Sequence, residues 1–455
     1  MLHSKKKIMK KIVYTLVMSM LVFSTSCEDT LLDLNNPAQL DTESFIVDDT
    51  SAQQAVVGIY SAFQDTNVGG AVPIQVLGLY ADEFSHTGSF PTYNEYFVNN
   101  VTATGNVNNS NIWSSYYAAI FRANSVISSL NSLTGGEVTE SVKASSLAEA
   151  KALRAYFYFF LVQAYGGVPI PEGLVTQEGS AAGNVPRSSE SEVYAYIQKD
   201  IEDSLGNLNN NGVYRFSNDA LRVLKAKVHM ALGEYADAES ALEPLIGGYA
   251  LVDDYSGLFA SGTNSEAILK LNYSTDDSNA LAFYFYPSAE GGRRESAPTS
   301  ILVNSFEAGD ERLGLVRDPF TAGSVILTKY SDTATGTDQP YIYRYADVLL
   351  MYAELLARNN DPNASDYINE VRDRAGVADV VLTSSNYVEL IGKERFLELY
   401  GEGHRWFDVK RLGLAQDVIE SKGLNFNANR LLFPIPQSEI NANDLITQDD
   451  QNPGY

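Results

Sequence analysis

Residues 343–413 carry "YRYADVLLMYAELLA" (343–357), "INEVRDRAG" (368–376) and "KERFLELYGEGHRWFDVKRLG" (393–413) with short gaps between them. In the first segment Tyr345, Val348, Leu349, Tyr352, Leu355 and Leu356 recur at three- and four-residue spacing, which predicts a helix with one buried side. Asp347, Glu354 and Arg358 interrupt that side. Asp361 and Pro362 form a cap and first-turn pair for a second helix, with Ile368 and Val371 buried and Gly376 suited to a left-handed end. On the third, Glu394, Glu398 and Glu402 lie four apart, a like-charge stripe that disfavours a helix unless cations face it. Arg372, Arg374, Arg395 and Arg405 are the expected partners.

The same helical period extends upstream. Ala52, Ala55, Val56, Ile59, Tyr60 and Phe63 fall on one face behind cap candidates Asp49, Thr50 and Ser51. Trp113, Tyr117, Ile120, Phe121, Asn124 and Ile127 line a helix over 111–130, where Trp113 is expected in the core. Residues 148–170 are apolar on nearly every side over Tyr156–Val162, which predicts a central helix closed by Gly166, Gly167 and Pro169. Segments 188–208 and 217–246 are also amphipathic. Ala226, Gly233, Tyr235, Ala238 and Leu242 sit near the positions where tetratricopeptide repeats place small residues and their large follower. Residues 64–110 lose the period and are rich in Gly, Asn, Ser and aromatics, as are 249–342, where 267–273 and 324–330 read as short strands.

The chain has 455 residues, 45% of them hydrophobic, ample for a large core. Lys5, Lys6, Lys7, Lys10 and Lys11 precede an apolar run from Ile12 to Phe23, too short to span a bilayer, so residues 1–26 read as a secretory signal. Cys27, the only cysteine, follows Ser24, Thr25 and Ser26 where a lipoprotein peptidase would cut, so a thioether-linked lipid is expected there and an internal disulfide is excluded. Residues 27–45 are polar, are interrupted by Pro37 and suit an extended tether. Removing the signal with its five lysines lowers Lys+Arg from 32 to 27 against 57 Asp+Glu, a mature net charge of −30. Such a surface argues against nucleic acid and against anionic lipid.

The three segments of 343–413, followed by "PIPQSEI" (434–440) and "QNPGY" (451–455), resemble the RagB/SusD family. "YADEF" (80–84), the 111–130 helix and the Ala-rich helix ending in "YGGVP" (165–169) extend the resemblance over most of the mature chain. It implies a mainly α fold, a tetratricopeptide-like helical-repeat scaffold with an irregular loop-rich region packed on one side. It divides the body into an N-terminal helical-repeat region (46–248), a loop-rich ligand-binding region (249–342) and a C-terminal helical region (343–455). It further implies a surface lipoprotein of the outer membrane, anchored through Cys27, facing the cell exterior and working with a SusC-like TonB-dependent transporter. Glu28 and Asp29 resemble the acidic export tag of such lipoproteins.

Signatures of catalysis are missing: no HExxH, P-loop, GxSxG elbow or cysteine pair occurs. His86, His229 and His404 are isolated from one another, and adjacent Asp82 and Glu83 point apart on any regular element, so loop bracing is expected of them. An enzyme is therefore not expected, nor a cofactor; scattered acids alone give no support for a structural calcium ion. Two readings stay open at this point, a glycan-binding lipoprotein that feeds a transporter and a peptide- or protein-binding scaffold. Aromatics in irregular loops favour sugar, because flat rings stack on the apolar faces of pyranoses. Residues 84–97 and 283–294 fall outside the predicted helices, and the resemblance implies that they lie together. Phe84, Phe90, Tyr93, Tyr96, Tyr284 and Tyr286 are the candidate stacking surfaces, with Asn94, Arg293 and Arg294 as partners for hydroxyls.

Overall fold

A computed structural model describes residues 45–171 and 184–455. In chain order the helices and strands are α1 (Asp49–Phe63), α2 (Ala71–Tyr80), β1 (Phe84–His86), α3 (Pro91–Phe97), α4 (Val107–Ser132), α5 (Glu140–Tyr165), α6 (Glu190–Ser204), α7 (Asn218–Leu232), α8 (Tyr235–Leu242), β2 (Ala267–Lys270), α9 (Leu281–Phe285), β3 (Ser296–Pro298), α10 (Ser300–Ser305), β4 (Tyr341–Arg344), α11 (Tyr345–Arg358), α12 (Ala364–Arg374), α13 (Tyr387–Leu399), α14 (Arg405–Arg411), α15 (Ala415–Ser421) and α16 (Gln437–Ala442). The fold is mainly α. The expected signal peptide, Cys27 and the tether up to residue 44 lie outside the described residues.

Helices pack largely against their sequence neighbours: α4 on α5, α5 on α6, α7 on α8, and α11 on α12. This is the tetratricopeptide-like arrangement, in which each pair buries a face that it cannot bury alone. The α7–α8 turn is closed by Gly233, whose φ of 76° is left-handed and open to glycine without strain. Central α5 is buried at Phe157, Tyr158, Phe159, Phe160 and Leu161, and Phe160 stacks on Tyr116 of α4 with ring centroids 4.3 Å apart. Trp113 is core, against Tyr165 at 5.0 Å. Residues Val47–Tyr455 form one compact unit.

Several boundaries differ from the sequence reading. Helix α1 is capped by Asp48, whose carboxylate accepts from Ser51 N at 2.7 Å, one residue before the expected caps. Helix α2 falls inside the stretch expected to be irregular; all ten of its residues are buried, so it has no polar face and produces no amphipathic period. Pro73 is tolerated there because first-turn N–H groups have no helical acceptor. Helix α12 starts at Ala364, three residues after Asp361, which caps the turn by accepting from Asn363 N. Tyr343 and Arg344, expected in a helix, belong to β4, which pairs antiparallel with β2. Of the two expected strands only 267–270 forms. Residues 324–330 make one isolated bridge, Arg317 to Val325, because Lys329 and Tyr330 turn inward to Glu402 and to the Gly401 carbonyl.

The glutamate stripe is neutralised by a different set of cations from the one expected. Arg372 reaches Glu394 at 2.8 Å and Arg374 reaches Glu398 at 2.5 Å, as predicted. Arg395 instead pairs with Asp347 and Asp408, and Arg405 makes two 2.8 Å bonds to Asp82, the loop brace anticipated for that acid. The remaining cations come from the loop-rich region and β4. Arg312 meets Glu394 at 2.5 Å, Lys329 meets Glu402 at 2.8 Å, and Arg344 bonds to Glu266, Glu398 and Glu402. Glu402 itself lies beyond the end of α13, in a turn shaped by left-handed Gly401 and Gly403. A charge cluster this deep persists only because every acid has a cation within bonding distance.

Candidate functional site

Strand β1 pairs antiparallel with β3 in the register Phe84 to Pro298 and His86 to Ser296, and this pairing brings the two candidate loops together. The chain after β1 wraps around Glu295. Thr87 N and Gly88 N donate to the Glu295 carbonyl at 3.0 and 3.3 Å, while Ser89 N and Phe90 N donate to its Oε2 at 3.0 and 3.1 Å. A Cβ on Gly88 would collide with that carboxylate, so the wrap requires glycine. Helix α3 then starts with Pro91 in its first turn. From the other side, α9 leads into a turn in which Arg293 N donates to the Phe283 carbonyl at 2.6 Å and Glu295 N to the Tyr284 carbonyl at 2.8 Å.

The rings of the two loops form a continuous run. Phe90 and Tyr93 lie 6.2 Å apart, Tyr93 and Tyr284 6.1 Å, and Tyr284 and Phe283 5.4 Å, all tilted or edge-to-face. The Arg293 guanidinium lies 3.6 Å from the centre of the Phe90 ring, donates from Nε to Glu295 Oε1 at 2.5 Å and from Nη2 to Ser89 Oγ at 3.1 Å. Stacking of a guanidinium on a ring adds about 0.5–1 kcal/mol at an exposed position, and the carboxylate fixes its plane. Burial pushes the Glu295 carboxyl up, but the Phe90 N–H, the Arg293 guanidinium and the Ser89 N–H outweigh it and hold the group below the usual carboxylate range.

Residue by residue, the candidates separate. Tyr284 is half-buried, Phe90 is half-buried with one face under Arg293, and Asn94 and Arg293 are exposed. These four can meet a ligand. Phe84 is fully buried against Phe285, and Tyr96 is buried edge-on to Tyr80 and Phe433; neither is a stacking surface. Tyr93 is 2% exposed, its phenol accepting from Gln75, so it supports the shelf from beneath. Tyr286 is buried beside Phe320 at 6.1 Å, and burial pushes its phenol up to about 12. Arg294, left-handed at φ 53°, turns away to Ser324 Oγ and the Val325 carbonyl. The loops are also less irregular than expected, since β1, α3 and α9 occupy them.

Two exposed rings and one buried acid were missed. Phe283, 39% exposed, shares α9 with buried Leu281, Ala282 and Phe285, a one-turn alternation that was readable within "LAFYF". Phe320, 53% exposed, sits in a loop without any period to flag it. Glu295 is separated from Ser89 and Phe90, which it holds, by about 200 residues, which no local pattern reveals.

Elsewhere the scaffold offers two weaker candidates. A cavity of about 110 Å³ lies among α2, α5, α7, α11 and α14, with Lys227, His404 and Arg411 in its wall. Its charges are internally paired, Lys227 with Asp347 at 2.7 Å and Arg411 with Glu354. Among the described residues one group of potential metal-ligating atoms converges, His229, Glu234 and Asp237. His229 Nδ1 and Glu234 Oε2 already share a 2.6 Å hydrogen bond, so the histidine is a packed side chain held by its neighbour. No helix among the described residues is long and apolar enough to cross a membrane.

Comparisons with known proteins agree with this architecture. Residues 314–455 match the sequence model of the SusD family, and residues 31–230 match a second model described as "Starch-binding associating with outer membrane". SusD-like protein P25 of Formosa agariphila is 25% identical over 98% of this chain and all of its own length. Among solved structures, a laminarin-binding SusD-like protein superposes with a TM-score of 0.78 at 25% identity, covering 90% of this chain and 100% of that one. Surface glycan-binding protein A from Bacteroides fluxus superposes with a TM-score of 0.76 at 22% identity over 89% of this chain and 99% of its own, a likeness of fold. The two sequence models, the full-length relative and the shared fold all support a protein of the SusD/RagB family.

Proposed function

We propose that the protein is a cell-surface lipoprotein that captures an oligo- or polysaccharide and delivers it to a SusC-like TonB-dependent transporter, without catalysis of its own. The observation that carries this reading is the shelf of Phe90, Tyr284 and Phe283 edged by Asn94 and Arg293. Rings for pyranose faces and side-chain donors for hydroxyls stand side by side at the surface. The laminarin-binding relative supports a glycan as the ligand class, and the description of the second family model supports placement at the outer membrane. Lipid on Cys27 would hold the body there, outside the cell, with residues 28–45 as tether. Calorimetry of the mature chain against soluble polysaccharides, laminarin and starch among them, with peptides as the comparison, tests the ligand class. Detergent pull-down from native membranes tests the partner. Binding of peptides with silence toward every glycan overturns the reading, and recovery as a lone chain after crosslinking removes the transporter from it.

A further inference from the structure

We propose that Glu295, which no ligand can touch, is the positioning residue of the shelf, and that by neutralising Arg293 it makes the shelf accept uncharged glycans and reject anionic ones. The inference rests on the glycan reading above and names the substrate class. Glu295 is fully buried, and its side chain holds both halves of the site at once: Ser89 N and Phe90 N on Oε2, Arg293 Nε on Oε1. His86 Nε2, 3.5 Å from Oε2, completes its surroundings. Arg293 is the cation that faces the rings, with its side chain 38% exposed, while Arg294 is turned to Ser324 and Val325. A guanidinium stacked on Phe90 beside an exposed shelf would ordinarily recruit sulfate or carboxylate. Here its charge is already matched by a carboxylate that burial makes dependent on it, because an unpaired buried carboxylate is costly. Arg293 is thereby kept as a flat donor surface, suited to hydroxyl oxygens, without net charge to offer. The body adds its own repulsion of polyanions, with a mature charge of −30 from 27 Lys+Arg and 57 Asp+Glu.

The test compares laminarin and soluble starch with dextran sulfate and polygalacturonate, using the mature chain in calorimetry or affinity electrophoresis at about 0.05 and about 0.3 M salt. Wild type is expected to bind a neutral glucan with little salt dependence and to ignore both polyanions. Glu295→Gln should weaken neutral binding roughly tenfold and gain polyanion binding that fades with salt; the double variant Glu295→Gln/Arg293→Met should lose that gain. A merely structural Glu295 would lower all binding and create none, and that result in a folded Glu295→Gln protein overturns the proposal. If Glu295→Gln does not fold, wild type decides: polyanions bound as tightly as glucans at about 0.05 M salt overturn the inference and leave the glycan reading standing. Silence toward all four glycans with binding of peptides removes both.

Discussion

Arg344 and Glu402 face each other in a double ion pair, Nε to Oε2 at 2.8 Å and Nη2 to Oε1 at 2.9 Å, with both side chains out of solvent. The pair joins the strand that precedes α11 to the turn that follows α13, and Arg344 also holds Glu266 and Glu398 at 2.6 Å. Neither residue bonds to the aromatic shelf. Glu402→Ala leaves Arg344 and Lys329 short of a buried counter-charge and should cost about 3–5 kcal/mol. Arg395→Ala takes one of two cations from each of Asp347, which keeps Lys227 at 2.7 Å, and Asp408, which keeps Arg411 at 3.4 Å, and should cost less, about 1–3 kcal/mol. Denaturant melts measure both. Each variant, where folded, keeps wild-type ligand affinity; a stable Glu402→Ala protein that no longer binds would move this cluster from scaffold to site.

His404 sets an acid limit on stability. Burial first, then the Lys227 ammonium, push its imidazole from 6.5 down to about 4, and Asp347 and Asp408 only partly oppose them. The native protein holds His404 neutral where the unfolded chain takes up a proton. Stability should therefore be lost as pH falls from about 6.5 to about 4, by up to ~3 kcal/mol from this group. Urea melts at pH 7 and 4.5 measure the slope, and His404→Gln should flatten it.

Glu83 acts at the other end of the scale. Burial raises its carboxyl from 4.5 to about 8, with Arg405 pulling down and Asp82 pushing up. Its Oε2 is buried without a hydrogen-bond partner. The native state retains this proton longer than the unfolded chain does, so stability falls as pH rises from about 4.5 to about 8. Glu83→Gln, a stand-in for the protonated acid, should melt higher than wild type at pH 8.5 and no higher at pH 4.5. Equal melting temperatures at pH 8.5 would show that burial does not raise the Glu83 carboxyl in the fold.

Where a pattern was local, the sequence revealed it. The periods of α1, α4 and α11 are faces of single helices, the nearly all-round apolar run of α5 marks a central one, and left-handed Gly376 closes α12 where expected. What stayed hidden depends on distant partners. Helix α2 is buried on all sides because other elements surround it, and Arg344 belongs to β4 because β2, some 75 residues upstream, supplies its hydrogen bonds. The site follows the same division. That the two loops contain aromatics was legible, and their meeting followed from the family resemblance; which rings face outward depends on β1–β3 pairing and on Glu295, so Phe84 and Tyr96 were misassigned and Phe283 was passed over.

Cys27 should be the first mature residue and carry lipid. It is the only cysteine, and it stands directly behind a short apolar run flanked by lysines and small residues. Mass spectrometry of the native amino terminus reads this directly. An unacylated chain, or one retaining residues 1–26, would remove the anchor and with it the tethered-capture scheme.

The shelf makes a contrast between two tyrosines that sit 6.1 Å apart. Tyr284 is half-buried and offers part of its ring, whereas Tyr93 is 2% exposed and bonds to Gln75 beneath it. Tyr284→Ala should weaken a confirmed glycan by about 1–2 kcal/mol, roughly tenfold in Kd, because it removes one stacking face at a site where water competes for every hydroxyl. Its effect on melting should be small. Tyr93→Ala opens a cavity under the shelf and should cost about 3–5 kcal/mol of stability, as large-to-small aromatic substitutions in cores do, and it should weaken binding only through the loss of support for Tyr284 and Phe90. Asn94→Ala, at an exposed position that carries no packing, should cost about 1 kcal/mol of affinity if its amide meets a hydroxyl. Calorimetry paired with thermal melts separates the three. Should Tyr284→Ala leave affinity untouched while Phe320→Ala lowers it, the ligand lies on the Tyr286–Phe320 side of the loop-rich region instead.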